Sequence, residues 1–525
     1  MKACPEQYAR RLILIFLPTK ASSASDRTDK TSLLLSNIPV QIEETMVSAS
    51  ETPMRLLIHA TIVTVNKSRE IILDGAILIE KGRIASLGKT KELLQQLQSR
   101  ADQDVEVIDC TNKIIIPGLI NTHAHLAQSL LRGLAEDLPL HNWLCDAIWP
   151  LEANYAEDDG YVASMLTIAE MLKTGTTCFL EAMLTHRSGL ENVVRAVEET
   201  GIRACLAAES NPDLNMKDAR DRDVDSMSVA VALAAHKKYH NSCNNRLHMW
   251  FAAGTPRGSP MAAHASIGEA ARANDIGLTM HCAEAPKDLP IYREYYQCSP
   301  FQFCQDTQLT GSKSVFAHCV HPDPGAGDFE ILRESKSTVS HNPTSNLKLG
   351  SGVAPIPDMV ASGVNVTLGT DGAPCNNTYD MFSEMHLASI LHGGVRQNAG
   401  VLSAYDILEF ATINGARALG LESDIGSLEV GKKADVVVVE PKDLSNAPWS
   451  AGEQGTGGMD PVTVLVHSSG IHVDTVIVDG QVLVRNGELL QINEDTIVKK
   501  ARDSVAGIRK RSGIGARNHM SLRYI

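Results

Sequence analysis

Six side chains in this sequence are of types that bind a metal ion or move protons, and each lies at the end of an apolar run. Asn121-Thr122-His123-Ala124-His125 carries two imidazoles two residues apart. In an extended strand that spacing points both rings to one side. His281 closes a second run with Glu284 three residues on, His318 closes a third, and Asp371 follows a fourth. Imidazole with carboxylate is the donor set for zinc or iron(II), and an open coordination position makes such a site catalytic. Singly these signals are weak. A His-x-His arises by chance in a chain with 18 histidines, and a lone Asp is commonly a helix cap or a solvated carboxylate. What decides the reading is whether all six fall at one end of one scaffold.

The scaffold is legible as alternation. Between about 117 and 415, short apolar runs at 113–120, 176–181, 203–208, 247–253, 277–282, 314–320, 338–341 and 364–370 are candidate strands. Most are separated by amphipathic stretches, such as Val162 to Leu172, Glu191 to Glu199 and Ser403 to Leu419. Eight such units predict an α/β fold of the (β/α)8 TIM-barrel type, whose active site is built at the C-terminal ends of its strands. All six candidates lie there, which predicts a mononuclear metal hydrolase. Short β-rich runs also flank this middle, from Leu56 to Gly88 and again at Ala434 to Val439 and Val473 to Val484. They predict a small β-sandwich domain assembled from both ends of the chain. The expected organisation is therefore a disordered or targeting extension over 1–53 and a composite β-domain from 54–116 plus 416–490. The metal-dependent barrel takes 117–415, and a C-terminal tail takes 491–525.

Composition narrows the partners. The 525 residues include 48 basic and 62 acidic side chains, a net charge of −14, and 43% are hydrophobic. With no basic tract the balance argues against nucleic acid, which needs clustered Lys and Arg. It favours a small, neutral or weakly basic substrate. No apolar run approaches membrane-spanning length; the longest near the start is Leu12 to Leu17. Following Arg10-Arg11, that run faintly resembles a targeting peptide; a disordered extension, or an upstream start with Met46 or Met54 opening the working protein, is preferred. The 11 cysteines show no paired spacing, which suits a reducing, cytoplasmic compartment.

Pro117-Gly118-Leu119-Ile120-Asn121-Thr122-His123-Ala124-His125, His281-Cys282-Ala283-Glu284, Ser340-His341-Asn342-Pro343-Thr344-Ser345-Asn346-Leu347-Lys348-Leu349 and Leu368-Gly369-Thr370-Asp371-Gly372 resemble the amidohydrolase superfamily. More narrowly they resemble its aminohydrolase branch, which contains the 5′-methylthioadenosine/S-adenosylhomocysteine deaminases and the triazine hydrolases. The likeness runs from about Leu56 to Leu490. It implies one metal per subunit, Zn2+ with Fe2+ as the alternative, held by His123, His125, His281 and Asp371. It also implies roles for three side chains. Asp371 accepts the proton of the attacking water, His318 orients the hydroxide, and Glu284 protonates a ring nitrogen and then helps ammonia to leave. In the nucleoside deaminases of the branch a Glu matching Glu152 binds the ribose hydroxyls, and the Trp143 region shapes the entrance.

Two departures from the branch stand out. After the fourth run this chain has Ala253-Gly254-Thr255-Pro256, where relatives place a His or Arg. After the third, Leu206-Ala207-Ala208-Glu209 lacks their Arg. Losing such contacts weakens a nucleoside assignment, because a pocket built on hydrogen bonds discriminates by them. The expected function is deamination of an amino-substituted N-heterocycle, purine nucleoside-like or a related ring. The alternatives are a triazine-type chloro- or alkylamino-hydrolase and a catalytically silent protein of the same fold. Keeping both Asp371 and Glu284 favours ammonia release, since chloride needs no proton to depart. The resemblance leaves a homo-oligomer open, with no interface legible in the sequence.

Overall fold

The computed structural model describes residues 53–98, 104–156, 158–210, 228–256, 260–451, 459–468 and 471–514; the extension expected over 1–53 lies almost wholly outside them. Eight parallel strands form the barrel: Leu119–His125, Thr176–Leu184, Arg203–Glu209, Leu247–Ala253, Leu278–Cys282, Ser314–His318, Thr338–His341 and Asn365–Leu368. The last is continued by Asp371–Gly372, which pairs with Ala124 and His125 of the first strand and so closes the ring. Its closing residue is thus one of the six chemical candidates.

A second sheet of nine strands is mixed and draws on both flanks. Met54–Val63, Ile71–Glu80, Arg83–Lys89, Val105–Asp109 and Ile114–Pro117 come from the N-terminal side. Val436–Glu440, His472–Val478, Gln481–Arg485 and Glu488–Leu489 come from the C-terminal side. The seam is Ile114–Pro117, which pairs in parallel with Thr61 and Ile62 and antiparallel with Val436 to Val439. β-Branched side chains fill both faces of that seam and are fully buried, as a pleated, two-sided core requires.

The run expected as one strand over 113–120 is divided between the two sheets. Pro117 ends the seam strand, and the barrel strand starts at Leu119 and reaches His125. The turning point is Gly118, where an added Cβ would stand 1.9 Å from Thr177 Oγ1. Only glycine permits that approach. The helical stretch expected over Ser403 to Leu419 is likewise two helices, Ala404–Phe410 and Ile413–Leu419. The break falls where the Ala411 carbonyl accepts from Ile120 N–H at 2.8 Å, tying it to the barrel instead of to the next helical turn.

Within the region assigned to a tail, Glu494–Ser512 form a helix that packs against the helix Asp159–Lys173, burying Ile497, Ala501 and Ile508. At the other end of the barrel Arg203, the first residue of the third strand, meets Asp435 at the edge of the second sheet.

Candidate metal centre

The first strand ends in His123 and His125, both buried. Their rings lie 5.1 Å apart, centroid to centroid, and His281 stands 4.7 Å from His123. The facing nitrogens are closer: His125 Nε2 is 3.1 Å from His281 Nε2. Asp371 Oδ1 is 3.6 Å from His123 Nε2 and 3.5 Å from His125 Nε2. A tetrahedral ion with bonds near 2.0–2.1 Å separates its donor atoms by about 3.3 Å. The pairs His125–His281, His123–Asp371 and His125–Asp371 lie near that spacing. Their ligand atoms fall in two overlapping groups, His123 with His125 and His281, and His123 with His318 and Asp371, each within 4.8 Å.

Charge supports the same reading. Burial pushes the imidazolium form of His123 down, takes His125 to about 3, and holds His281 well below the ordinary value. All three rings are therefore neutral, the form in which a histidine ligates. Burial alone would raise Asp371, but the imidazoles of His123, His318 and His125 beside it hold it well below the usual carboxylate range. Both ring nitrogens of His123 and Nε2 of His318 are buried without a hydrogen-bond partner among the described residues. Buried polar atoms are rarely left so, and Nε2 of both His123 and His318 lies within 4 Å of an Asp371 oxygen.

The backbone around this point is unusual. Ala283, His318, Cys319 and Asp371 all have φ between 46° and 72°, left-handed values that non-glycine residues seldom adopt. Ala283, His318 and Cys319 sit where a strand ends, and Asp371 opens the short strand that closes the ring.

Neighbouring residues fix the ligand geometry. Ser345 Oγ donates to Asp371 Oδ2 at 2.6 Å, and Gly372 N–H donates to Oδ1 at 2.7 Å, which makes the two carboxylate oxygens inequivalent. Asn346 Oδ1 lies 2.8 Å from His318 Nδ1 and can only accept there, so the proton sits on Nδ1. His318 Nε2 faces inward, 3.8 Å from Asp371 Oδ2 and 3.9 Å from Glu284 Oε1. Glu284 is itself buried, on a turn whose Glu284 and Ala285 N–H groups both donate to Asp288 Oδ2 at 2.9 Å.

Glu152 lies farther out, half-buried at the end of the short helix Trp149–Glu152, and accepts from Gln128 Nε2 at 3.1 Å. Trp143 is buried in Leu140–Trp143, and its indole N–H has no partner among the described residues. The side chains of His264 and His341 have partners of their own. His264 meets Gly254 O at 2.9 Å and Pro260 O at 3.2 Å, and His341 meets His392 at 3.1 Å.

Sequence reasoning passed over Glu181, fully buried on the second strand. Its Oε2 accepts from Leu126 N–H at 2.7 Å and its Oε1 lies 3.8 Å from His125 Nδ1. Burial drives its carboxyl up to about 8. An acid inside the apolar run Cys178-Phe179-Leu180-Glu181-Ala182 is the signal that would have found it.

Comparison with known proteins gives a concordant picture. The family model described as the amidohydrolase family matches residues 114–483. The chain is 36% identical over 448 residues to a 5-methylthioadenosine/S-adenosylhomocysteine deaminase of Acetivibrio thermocellus, covering 85% of this chain and 97% of that protein. It is 33% identical over 440 residues to a 5′-deoxyadenosine deaminase of Methanobrevibacter smithii, covering 84% and 95%. A crystal structure of an adenosine deaminase from Xanthomonas campestris with bound zinc superposes with a TM-score of 0.77 at 28% identity, covering 87% of this chain and 98% of that one.

Proposed function

This chain belongs to the amidohydrolase family, and on that premise we propose that it deaminates an amino-substituted purine nucleoside with release of ammonia. The observation that carries the reading is the pair of side-chain groups His123, His125 and His281, and His123, His318 and Asp371, which share His123, with Glu284 beside His318. We assign His123, His125, His281 and Asp371 as ligands of one divalent ion per chain, zinc by the donor set. The ion would supply Lewis acidity enough to bring ionisation of a water molecule near pH 7.

The chain's own residues do the rest. The inward lone pair of His318 accepts a hydrogen bond from the attacking water and sets its orientation. Asp371 takes the proton through Oδ2, the oxygen that Ser345 marks out. Water adds across the ring C=N bond as Glu284 gives its proton to the ring nitrogen. The tetrahedral carbon then carries both hydroxyl and amino groups. Glu284, now a carboxylate, passes the hydroxyl proton to the amino group, ammonia departs as the carbonyl forms, and the proton held by Asp371 returns to Glu284. Thr255, Pro256, Ile291 and Tyr292 lie beside His281 around a small cavity. Glu152 would bind the ribose hydroxyls and Trp143 would shape the entrance.

The ten described cysteines are all unpaired, which supports a reducing, cytoplasmic setting. Among the described residues no helix is long and apolar enough to cross a membrane.

Ammonia release from 5′-deoxyadenosine, 5′-methylthioadenosine, guanine and an aminotriazine tests the assignment. Turnover of the two nucleosides at the highest kcat/KM is expected. Turnover confined to guanine or the triazine would overturn it.

A further inference from the structure

The helix Glu494–Ser512 runs antiparallel to Asp159–Lys173 and is pinned to it at both ends. Lys173 Nζ meets Glu494 Oε1 at 2.6 Å, and Arg511 Nη2 meets Asp159 Oδ2 at 2.6 Å. The second pair does more than join two helices. Arg511 Nε donates to the carbonyl of Asn154 at 2.7 Å, and Asp159 Oδ2 also accepts from Ala156 N–H at 2.7 Å. One guanidinium and one buried carboxylate thereby hold the segment that leaves Glu152 on its way to the next helix. From the inside, Tyr155 Oη donates to Ala127 O at 2.5 Å, and Tyr155 N–H donates to Glu152 O at 3.1 Å. The turn is therefore gripped by Ala127, two residues after the ligand candidate His125, and by Arg511, more than 350 positions later.

We propose that Arg511 is a positioning residue for the substrate site: through Asn154, Ala156 and Asp159 it fixes the turn that presents Glu152. The proposal rests on the reading of Glu152 as the group that binds the ribose hydroxyls. A guanidinium suits the task because its rigid planar fork addresses a carbonyl through Nε and a carboxylate through Nη2 at once. The chain's last described helix thus acts as a strut on the entrance wall. It supplies none of the candidate ligands, so its loss should change substrate affinity and leave the chemical step alone.

The test is a double-mutant cycle on the full chain, Arg511→Ala, Glu152→Ala and both, with 5′-deoxyadenosine and 2′,3′-dideoxyadenosine as substrates. Arg511→Ala is expected to raise KM for 5′-deoxyadenosine roughly threefold or more, the coupling seen within one hydrogen-bond network. Its kcat and metal content should hold. KM for the dideoxy substrate, which has no hydroxyls for Glu152, should not move, and the double variant should be no worse than Glu152→Ala. Asp159→Asn, which keeps an acceptor for Ala156 but loses the ion pair, should show the same pattern in milder form. A KM rise on both substrates, or additive effects, would overturn the strut and mark the helix as a general stabiliser. If Glu152→Ala raises KM and Arg511→Ala does not, the strut falls and Glu152 stands. If Glu152→Ala leaves KM for 5′-deoxyadenosine unchanged, the ribose reading fails and takes the strut with it.

Discussion

At the N-terminal end of the barrel, Arg203 grips Asp435 through bonds of 2.8 and 2.9 Å, and Asp479 N–H adds a third donor to the same carboxylate at 2.8 Å. At the C-terminal end, Asp371 faces three imidazoles across 3.5–3.8 Å while nitrogens of His123 and His318 go without partners. Both clusters are buried. The first joins the barrel to the second sheet and satisfies its charges internally. The second leaves Nε2 of His123 and His318 without partners beside Asp371, with left-handed backbone at Ala283, His318 and Asp371. Burial of charge is thus no sign of function by itself. Unsatisfied convergence is.

The contrast can be broken from either side. His281→Ala or Asp371→Ala should reduce metal content per chain toward zero and abolish ammonia release. A metal-replete, active variant would place the site elsewhere. Glu284→Gln should keep its metal and lose roughly 10²–10⁴-fold in kcat, the range for a positioned acid–base group; steady-state kinetics with metal analysis checks both halves. Asp435→Ala should act oppositely. It leaves Arg203 buried and unpaired, at a cost of about 3–5 kcal/mol, visible in denaturant unfolding, while folded molecules keep their kcat.

The smallest expected effect concerns Glu384, buried on the helix Met381–Arg396, where it accepts from Asn376 Nδ2 at 2.8 Å. Burial pushes its carboxyl up to about 7 from 4.5. Such a group binds a proton more readily folded than unfolded, so its stabilising contribution is present below about 4.5 and is lost as pH rises to about 7. Glu384→Gln should flatten the dependence of the melting temperature on pH across that window. An unchanged slope would show that this carboxyl is ionised throughout.

Much of this was legible in the residues. The eight apolar runs had length, β-branching and amphipathic spacers, and strand-end placement gathered the six candidates without coordinates. Less was legible where one apolar run served two sheets. Ile114 to Ile120 has no polar break, so only the close approach at Gly118 reveals the division. The helix Glu494–Ser512 hid for the opposite reason, since only Ile497, Ala501 and Ile508 are buried among many charges. Ser345, Asn346 and Asp288 carry no periodic signature. Their partners, Asp371, His318 and the Glu284 turn, exist only after folding.

The central claim is that three imidazoles and one carboxylate hold one ion. X-ray absorption at the zinc edge on the zinc-loaded chain, with the metal-to-protein ratio measured on the same sample, tests it most directly. The account predicts one zinc per chain with a first shell of nitrogen and oxygen at about 2.0–2.2 Å, which is lost in His125→Ala. A zinc–zinc vector, a sulfur ligand, or an unaltered spectrum in that variant would contradict it.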